Sequence, residues 1–176
     1  ALVAHPKVSA ISFTGSTRVG QAIALQCAQS FKKITLEMGG KNPAIIFDDA
    51  PQQDLSAKIA RLSFQNSGQI CLCGSRLLVQ KPIYEQFKNE FLRHIRTLTV
   101  GDPSKPETRL GPLMSKAHYD KVLGYIALAR QEGGQILCGG EALHLAGDLS
   151  TGWFIAPTVI AGLPMNSRFC QEEVFG

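Results

Sequence analysis

A chain of 176 residues is one ordinary domain or parts of two, since a domain takes about 100–200 residues. Its 44% hydrophobic and 18% charged residues fall in the globular range and exclude disordered, collagen-like and low-complexity chains. The net charge of +4 is spread without a run of about five or six like charges, so no nucleic-acid partner is expected, and no run of about 18 apolar residues offers a membrane span.

In chain order, Val8 to Phe13 predicts a strand that ends in Thr14-Gly-Ser-Thr17. A helix through Val19, Ala22, Ile23 and Cys27 follows. Ile34 to Met38 and Pro43 to Phe47 predict two strands separated by Gly39-Gly40. Asp48, Asp49 and Pro51 open a helix with Leu55, Ile59 and Leu62 as its apolar positions, stopped by Asn66-Ser-Gly68. Ser75 to Gln80 predicts a strand and Ile83 to Leu98 a helix with Phe87, Phe91 and Ile95 on one face. Pro103, Pro106 and Pro112 mark a long loop from Gly101 to Pro112. A helix from Ser115 carries Tyr119, Val122 and Ile126 to Gly133-Gly134, and Gln135–Cys138 and Phe154–Ile160 predict the last strands. This alternation predicts an α/β fold with a largely parallel sheet.

Five cysteines, Cys27, Cys71, Cys73, Cys138 and Cys170, are odd in number and lack Cys-x-x-Cys spacing. Neither a disulfide framework nor a metal site is indicated, and free thiols suit a reducing compartment, the cytoplasm by default. The chain starts at Ala1 and stops just beyond Glu172-Glu173 with no closing turn or helix, as expected of a fragment.

Three places hold candidate chemistry. Gly15-Ser-Thr-Arg-Val-Gly20 has phosphate-loop glycine spacing, but Gln21 stands where a Walker loop has lysine. What remains is a helix N-terminus at Gly15 and Ser16, either a pyrophosphate cradle or a plain N-cap, of which caps are the commoner. Cys71 follows the helix stop and glycine turn of Phe64-Gln-Asn-Ser-Gly-Gln-Ile-Cys71. It is either an exposed thiol among free amides or an inert buried one, and Cys73, two residues on, is expected to point away from it, one of the two thiols being structural. Glu37 lies among Ile34, Leu36 and Met38. It is either a carboxyl in an apolar site, with its pKa shifted upward, or an ordinary exposed strand position opposite the apolar face. Adjacent Glu172 and Glu173 read by themselves as solvated surface.

Together Phe13-Thr-Gly-Ser-Thr-Arg-Val-Gly20, Glu37-Met-Gly-Gly-Lys41, Phe64-Gln-Asn-Ser-Gly-Gln-Ile-Cys71 and Glu172-Glu-Val-Phe-Gly176 resemble the NAD(P)-dependent aldehyde dehydrogenase superfamily over the whole chain. Met38 departs from the usual leucine. Ile70-Cys-Leu-Cys73 and Ala1-Leu-Val-Ala-His-Pro6 look most like the branch acting on muconic semialdehydes, the 2-aminomuconate enzymes included. The resemblance implies the end of a Rossmann-type dinucleotide-binding domain over residues 1–39 and a truncated α/β catalytic domain over 40–176. It implies Cys71 as nucleophile, with its amide as an oxyanion donor, and Glu37 as the base for the thiol or the hydrolytic water. It also implies Gly15 and Ser16 at the cofactor pyrophosphate, Glu173 at the nicotinamide ribose, and Phe175 beside the nicotinamide. NAD is the cofactor expected, with NADP open, a small aldehyde the substrate, and a homo-oligomer the assembly. A non-catalytic binding or structural relative is the rival reading, against which the retention of both Cys71 and Glu37 speaks. A relative passing its thioester to coenzyme A or phosphate is a third, less compatible with Glu37.

Overall fold

β1 (Ala10–Gly15), α1 (Thr17–Ala28) and β2 (Lys33–Met38) form a strand–helix–strand unit in the computed structural model, which describes residues 1–176. The two strands run parallel, in register from Ala10 opposite Lys33 to Gly15 opposite Met38. Parallel neighbours need a crossover, and α1 supplies it. Gly20 lets α1 lie close on β2, for a Cβ there would stand 2.7 Å from Met38 Sδ. After α1 the chain turns through Phe31, which has φ 50 and is 96% exposed. The Lys32 N–H donates back to the Cys27 carbonyl, so an orphan carbonyl of the helix end is satisfied.

The chain divides into two units, Ala1–Gly40 and Lys41–Gly176. The second starts with β3 (Pro43–Ile46), α2 (Leu55–Phe64), a 3-10 turn over Gln65–Gly68 and β4 (Arg76–Val79). β3 and β4 again pair in parallel, Pro43 opposite Arg76 through Ile46 opposite Val79. α3 (Tyr84–Ile95) follows a 3-10 turn at Lys81–Ile83. The expected apolar row of α3 is its buried face, Phe87, Phe91 and Ile95. With Ile46 and Ala60 they form one core, in which Phe87 and Phe91 stack at 5.6 Å.

α2 turns a different face inward from the one its large residues suggest. Ser56 and Ala60 are buried whereas Leu62 is 41% exposed, and Leu55 and Ile59 only flank the core. Small residues at the contact let α2 approach the strands and α3 closely, which three leucine-sized side chains would prevent.

Long-range strand order differs from the parallel sheet expected. α4 (Lys116–Gln131) is followed by β5 (Gln135–Cys138), β6 (Ala142–Leu143), a 3-10 turn, β7 (Phe154–Ile155), β8 (Val159–Ala161) and the short α5 (Arg168–Gln171). β5 pairs with β8 and β6 with β7, both antiparallel. The predicted single strand over Phe154–Ile160 is split at Pro157. Proline has no N–H for a ladder, so the chain changes partner there. Val122 and Ile126 of α4 join Leu113 and Val174 in a second core. The loop from Gly101 to Pro112 is closed at its neck by the Gly101 N–H donating to the Leu110 carbonyl, at 3.0 Å. No helix is long and apolar enough to cross a membrane.

Phe91 is 3% exposed and touches the rings of both Phe64 and Phe87. Phe91→Ala is expected to destabilise the second unit by about 3–5 kcal/mol. Denaturant titration of the variant beside the wild type measures this, and a loss under about 1 kcal/mol would mean the ring does not organise that core.

Candidate active site

In the first unit Gly15 ends β1 and Ser16 caps α1, its hydroxyl accepting from the Val19 N–H at 3.4 Å. The N-cap reading is therefore realised. The Thr17 and Arg18 amides make no backbone hydrogen bond, as helix geometry requires of a first turn. Glu37 sits on β2 opposite Thr14. Because α1 packs on Leu36 and Met38, strand alternation turns Glu37 to the other face, where it is exposed. The apolar surroundings considered for its carboxyl belong to the helix-covered side. The ordinary exposed position is the one observed.

In the second unit the segment before Cys71 is unusual. Asn66, Ser67 and Gly68 have φ of 54, 56 and 77, three successive left-handed residues of which only the glycine is free of steric cost. Such a run persists only where the surroundings over-determine it. Ser67 Oγ donates to the Gly111 carbonyl at 2.8 Å, and Gln69 Oε1 accepts from the Met114 N–H at 3.0 Å. Asn66 and Gln69 exchange side-chain bonds with each other's backbone. Gly68 must lack a side chain for a second reason, since a Cβ would stand 2.9 Å from the Gly176 carbonyl carbon.

The chain then turns over Ile70–Cys73, closed by the Cys73 N–H donating to the Ile70 carbonyl at 3.0 Å. Cys71 is exposed on this turn and Cys73 is buried. The Cys71 N–H makes no backbone hydrogen bond, so it stays available to an oxygen near the thiol. Burial pushes the Cys73 thiol up from its ordinary value, and does the same to Cys138. Cys27 is buried at 1% exposure, and Cys170 is half-buried.

The terminal run comes to the same place. Val174 is anchored in the second core, the Phe175 carbonyl lies 2.6 Å from His118 Nε2, and Gly176 abuts Gly68, three residues before Cys71. Glu172 and Glu173 are not equivalent surface groups. Glu172 accepts from Arg168 Nε at 2.9 Å and from the Tyr125 hydroxyl at 2.7 Å, and these hydrogen bonds hold its carboxyl down at about 2. Glu173 is half-buried, with its charge near Lys41.

Sequence reading missed Lys41 and Asn42. Lys41 Nζ lies 4.2 Å from the centroid of the Phe169 ring. Burial lowers its amine to about 8, with the Cys170 and Glu173 charges opposing that shift and Arg76 and Lys121 reinforcing it. Asn42 Nδ2 donates to the Cys71 carbonyl at 2.5 Å and to the Cys73 carbonyl at 3.1 Å. Thus the second unit gathers Lys41, Asn42, the Cys71 turn and the terminal run, while Gly15, Ser16 and Glu37 lie in the first unit.

The aldehyde dehydrogenase family model matches residues 1–176. The chain belongs to the aldehyde dehydrogenase family. It is 47% identical to 2-aminomuconic semialdehyde dehydrogenase of Bos taurus, which it matches over 100% of its own length and 37% of the relative's. Against the 2-aminomuconic 6-semialdehyde dehydrogenase of a Pseudomonas species it is 42% identical, over 98% of this chain and 35% of that one. Betaine aldehyde dehydrogenase of Staphylococcus aureus, solved in complex with NAD+, superposes with a TM-score of 0.93 at 36% identity. That match covers 99% of this chain and 34% of the other. The chain thus spans little more than a third of the relatives it matches, and the superfamily suggested by its motifs stands, with 2-aminomuconic semialdehyde dehydrogenases among the relatives it resembles.

Two measurements check this family member's site. Brief iodoacetamide treatment at pH 8 is expected to label Cys71 roughly tenfold or more faster than Cys27, Cys73 or Cys138, as mapped by peptide mass spectrometry. Equal labelling of all five thiols would mean that Cys71 is not distinctively accessible. The second concerns Lys41. Unfolded, it keeps its proton to about pH 10.4; folded, it releases it near 8. Between those values the unfolded chain binds more protons, so stability rises with pH across that window. Urea midpoints from pH 7.5 to 10 are expected to show this rise in the wild type and a flatter profile in Lys41→Met, which keeps an apolar stem on Phe169.

Proposed function

We propose that this chain carries the thiol nucleophile and part of the cofactor site of an NAD(P)-dependent aldehyde dehydrogenase that converts an aldehyde or semialdehyde to the carboxylic acid. The observation that carries the reading is Cys71: an exposed thiol on a braced turn, with its own N–H uncommitted, while the other four thiols are buried or half-buried. Residues 1–39 are the end of the dinucleotide-binding domain in this reading, and 40–176 belong to the catalytic domain. The muconic semialdehyde relatives make a semialdehyde the preferred substrate class. Five free cysteines favour the reducing cytoplasm. A homo-oligomeric assembly belongs to the same reading.

The Cys71 thiolate attacks the carbonyl carbon, forming a C–S bond and a thiohemiacetal oxyanion. The Cys71 N–H donates to that oxyanion, and a donor already aimed there needs no reorganisation as charge develops. When bound, the nicotinamide supplies the hydride acceptor that takes the substrate to the thioester level. Glu37 then removes a proton from water as the water adds to the thioester carbon, and the C–S bond breaks to return the thiolate and release the acid. Over the cycle an aldehyde and water give a carboxylic acid, a hydride that carries away two electrons, and one proton, released to solvent by way of Glu37.

The residues present fit a dinucleotide. Gly15 leaves the tip of β1 without a side chain, and the Thr17 and Arg18 amides lack backbone acceptors beside the Ser16 hydroxyl. Glu173 is the candidate for the ribose hydroxyls, and Phe175, fixed through its carbonyl by His118, for the nicotinamide face.

Full turnover in the protein carrying this sequence is expected to fall by at least about 10³-fold in Cys71→Ala. Glu37→Gln is expected to keep a first-turnover burst of NADH while steady-state turnover drops roughly 10²- to 10⁴-fold. A stopped-flow trace at 340 nm with a muconic-type semialdehyde reads both. Turnover surviving Cys71→Ala would end the covalent mechanism.

A further inference from the structure

We propose that Asn42 is a positioning residue for the nucleophile: its side-chain amide clamps the carbonyls on either side of the Cys71 turn and so fixes the direction in which the thiol and its N–H point. The inference rests on the reading of Cys71 as nucleophile.

One NH₂ group has two hydrogens, and here each meets a carbonyl, that of Cys71 at 2.5 Å and that of Cys73 at 3.1 Å. Carbonyl oxygens only accept. The amide must therefore present nitrogen, not oxygen, to the turn, and the flip ambiguity of an asparagine does not arise. The backbone on both sides is bound to the same spot. The Asn42 carbonyl accepts from the Ser75 and Arg76 N–H groups at 3.1 and 3.0 Å, and Arg76 Nε donates to the Lys41 carbonyl at 2.9 Å. Ser63 Oγ holds the Gly74 carbonyl at 2.9 Å.

These bonds fix successive peptide planes. With the Cys71 carbonyl held, the plane between Cys71 and Leu72 cannot rotate, and with the Cys73 carbonyl and N–H held, the far limb of the turn is fixed too. The Cα–Cβ bond of Cys71 and its uncommitted N–H then keep one mutual orientation. A thiolate and an oxyanion donor need that constancy, since a displacement of about 1 Å costs on the order of 10²-fold in rate. Asn42 bonds to the turn's backbone and not to the thiol, so its removal acts on the chemical step.

The test compares Asn42→Ala, Asn42→Asp and Cys71→Ala in the protein carrying this sequence, each checked for its thermal melt. At pH 8, Asn42→Ala and Asn42→Asp are expected to lower kcat by about 10- to 100-fold with KM within roughly threefold, and to slow alkylation of Cys71 in parallel. An ionised carboxylate turns lone pairs toward two carbonyl oxygens, whereas its protonated form has one O–H to donate. The activity of Asn42→Asp relative to wild type is therefore expected to recover severalfold between pH 8 and 5.5, and that of Asn42→Ala to stay flat. A merely structural loss would not show that recovery. Wild-type kcat and alkylation rate in folded Asn42→Ala would overturn the proposal, as would Asn42→Asp tracking Asn42→Ala at every pH. Failure of both variants to fold would also overturn it, assigning Asn42 to stability alone. Activity surviving in Cys71→Ala would remove the nucleophile itself, a result distinguishable from an inactive Cys71→Ala beside fully active Asn42 variants.

Discussion

The parallel pairing of β3 with β4 is the constraint on which the site depends. Parallel strands cannot be joined by a tight turn, so the chain must leave β3, cross as α2 and return. The return limb, from Phe64 to Arg76, carries Cys71. Register then decides its neighbours. With Pro43 opposite Arg76, the residues just before β4 must lie beside those just before β3. A side chain at position 42 therefore meets the carbonyls of Cys71 and Cys73 without any loop having to reach for it. The core beneath, from Ile46 to Phe91 and Ile95, holds that register because a slip of one residue would turn Ile46 out of it.

The same limb is held from a second side. Ser67 of its left-handed run is braced by Gly111 and the adjoining Gln69 by Met114, and the segment holding Gly111 and Met114 also contributes Leu113 to the second core, with Val122 and Val174. The thiol turn thus lies where the supports of two hydrophobic clusters converge, one acting through β3 and the other through the loop that precedes α4. Charge is arranged around it unevenly. Glu172 is committed to Arg168 and Tyr125, while Glu173 remains near the half-buried amine of Lys41.

Local pattern was legible in the sequence wherever one physical effect dominated. The row Phe87, Phe91, Ile95 specified both the helix and its buried face because three large apolar groups at a spacing of four leave a helix no other solution. α2 was legible as a helix but not in its orientation, since the demand for close approach, met by Ser56 and Ala60, outweighs the size of Leu62. Pro157 was visible and its effect underweighted: a missing N–H divides a predicted strand between two partners. Motif resemblance located Cys71 and the terminal Glu172-Glu-Val-Phe-Gly176 run. It was silent about Asn42, whose partners lie 29 and 31 residues away and become neighbours only through strand register. Glu37 illustrates the opposite case, in which simple alternation described its surroundings better than the apolar residues beside it in sequence.

The left-handed run at Asn66–Gly68 bears on the order of assembly. Its braces join residues 44 and 45 positions apart, so the entropy of closing that long loop must be met before they form. Until the segment around Gly111 to Met114 has docked, only the local bonds between Asn66 and Gln69 offset the unfavourable backbone angles of Asn66 and Ser67. The full bracing of the turn that carries Cys71 thus depends on the docking of a segment 44 to 45 residues away in sequence.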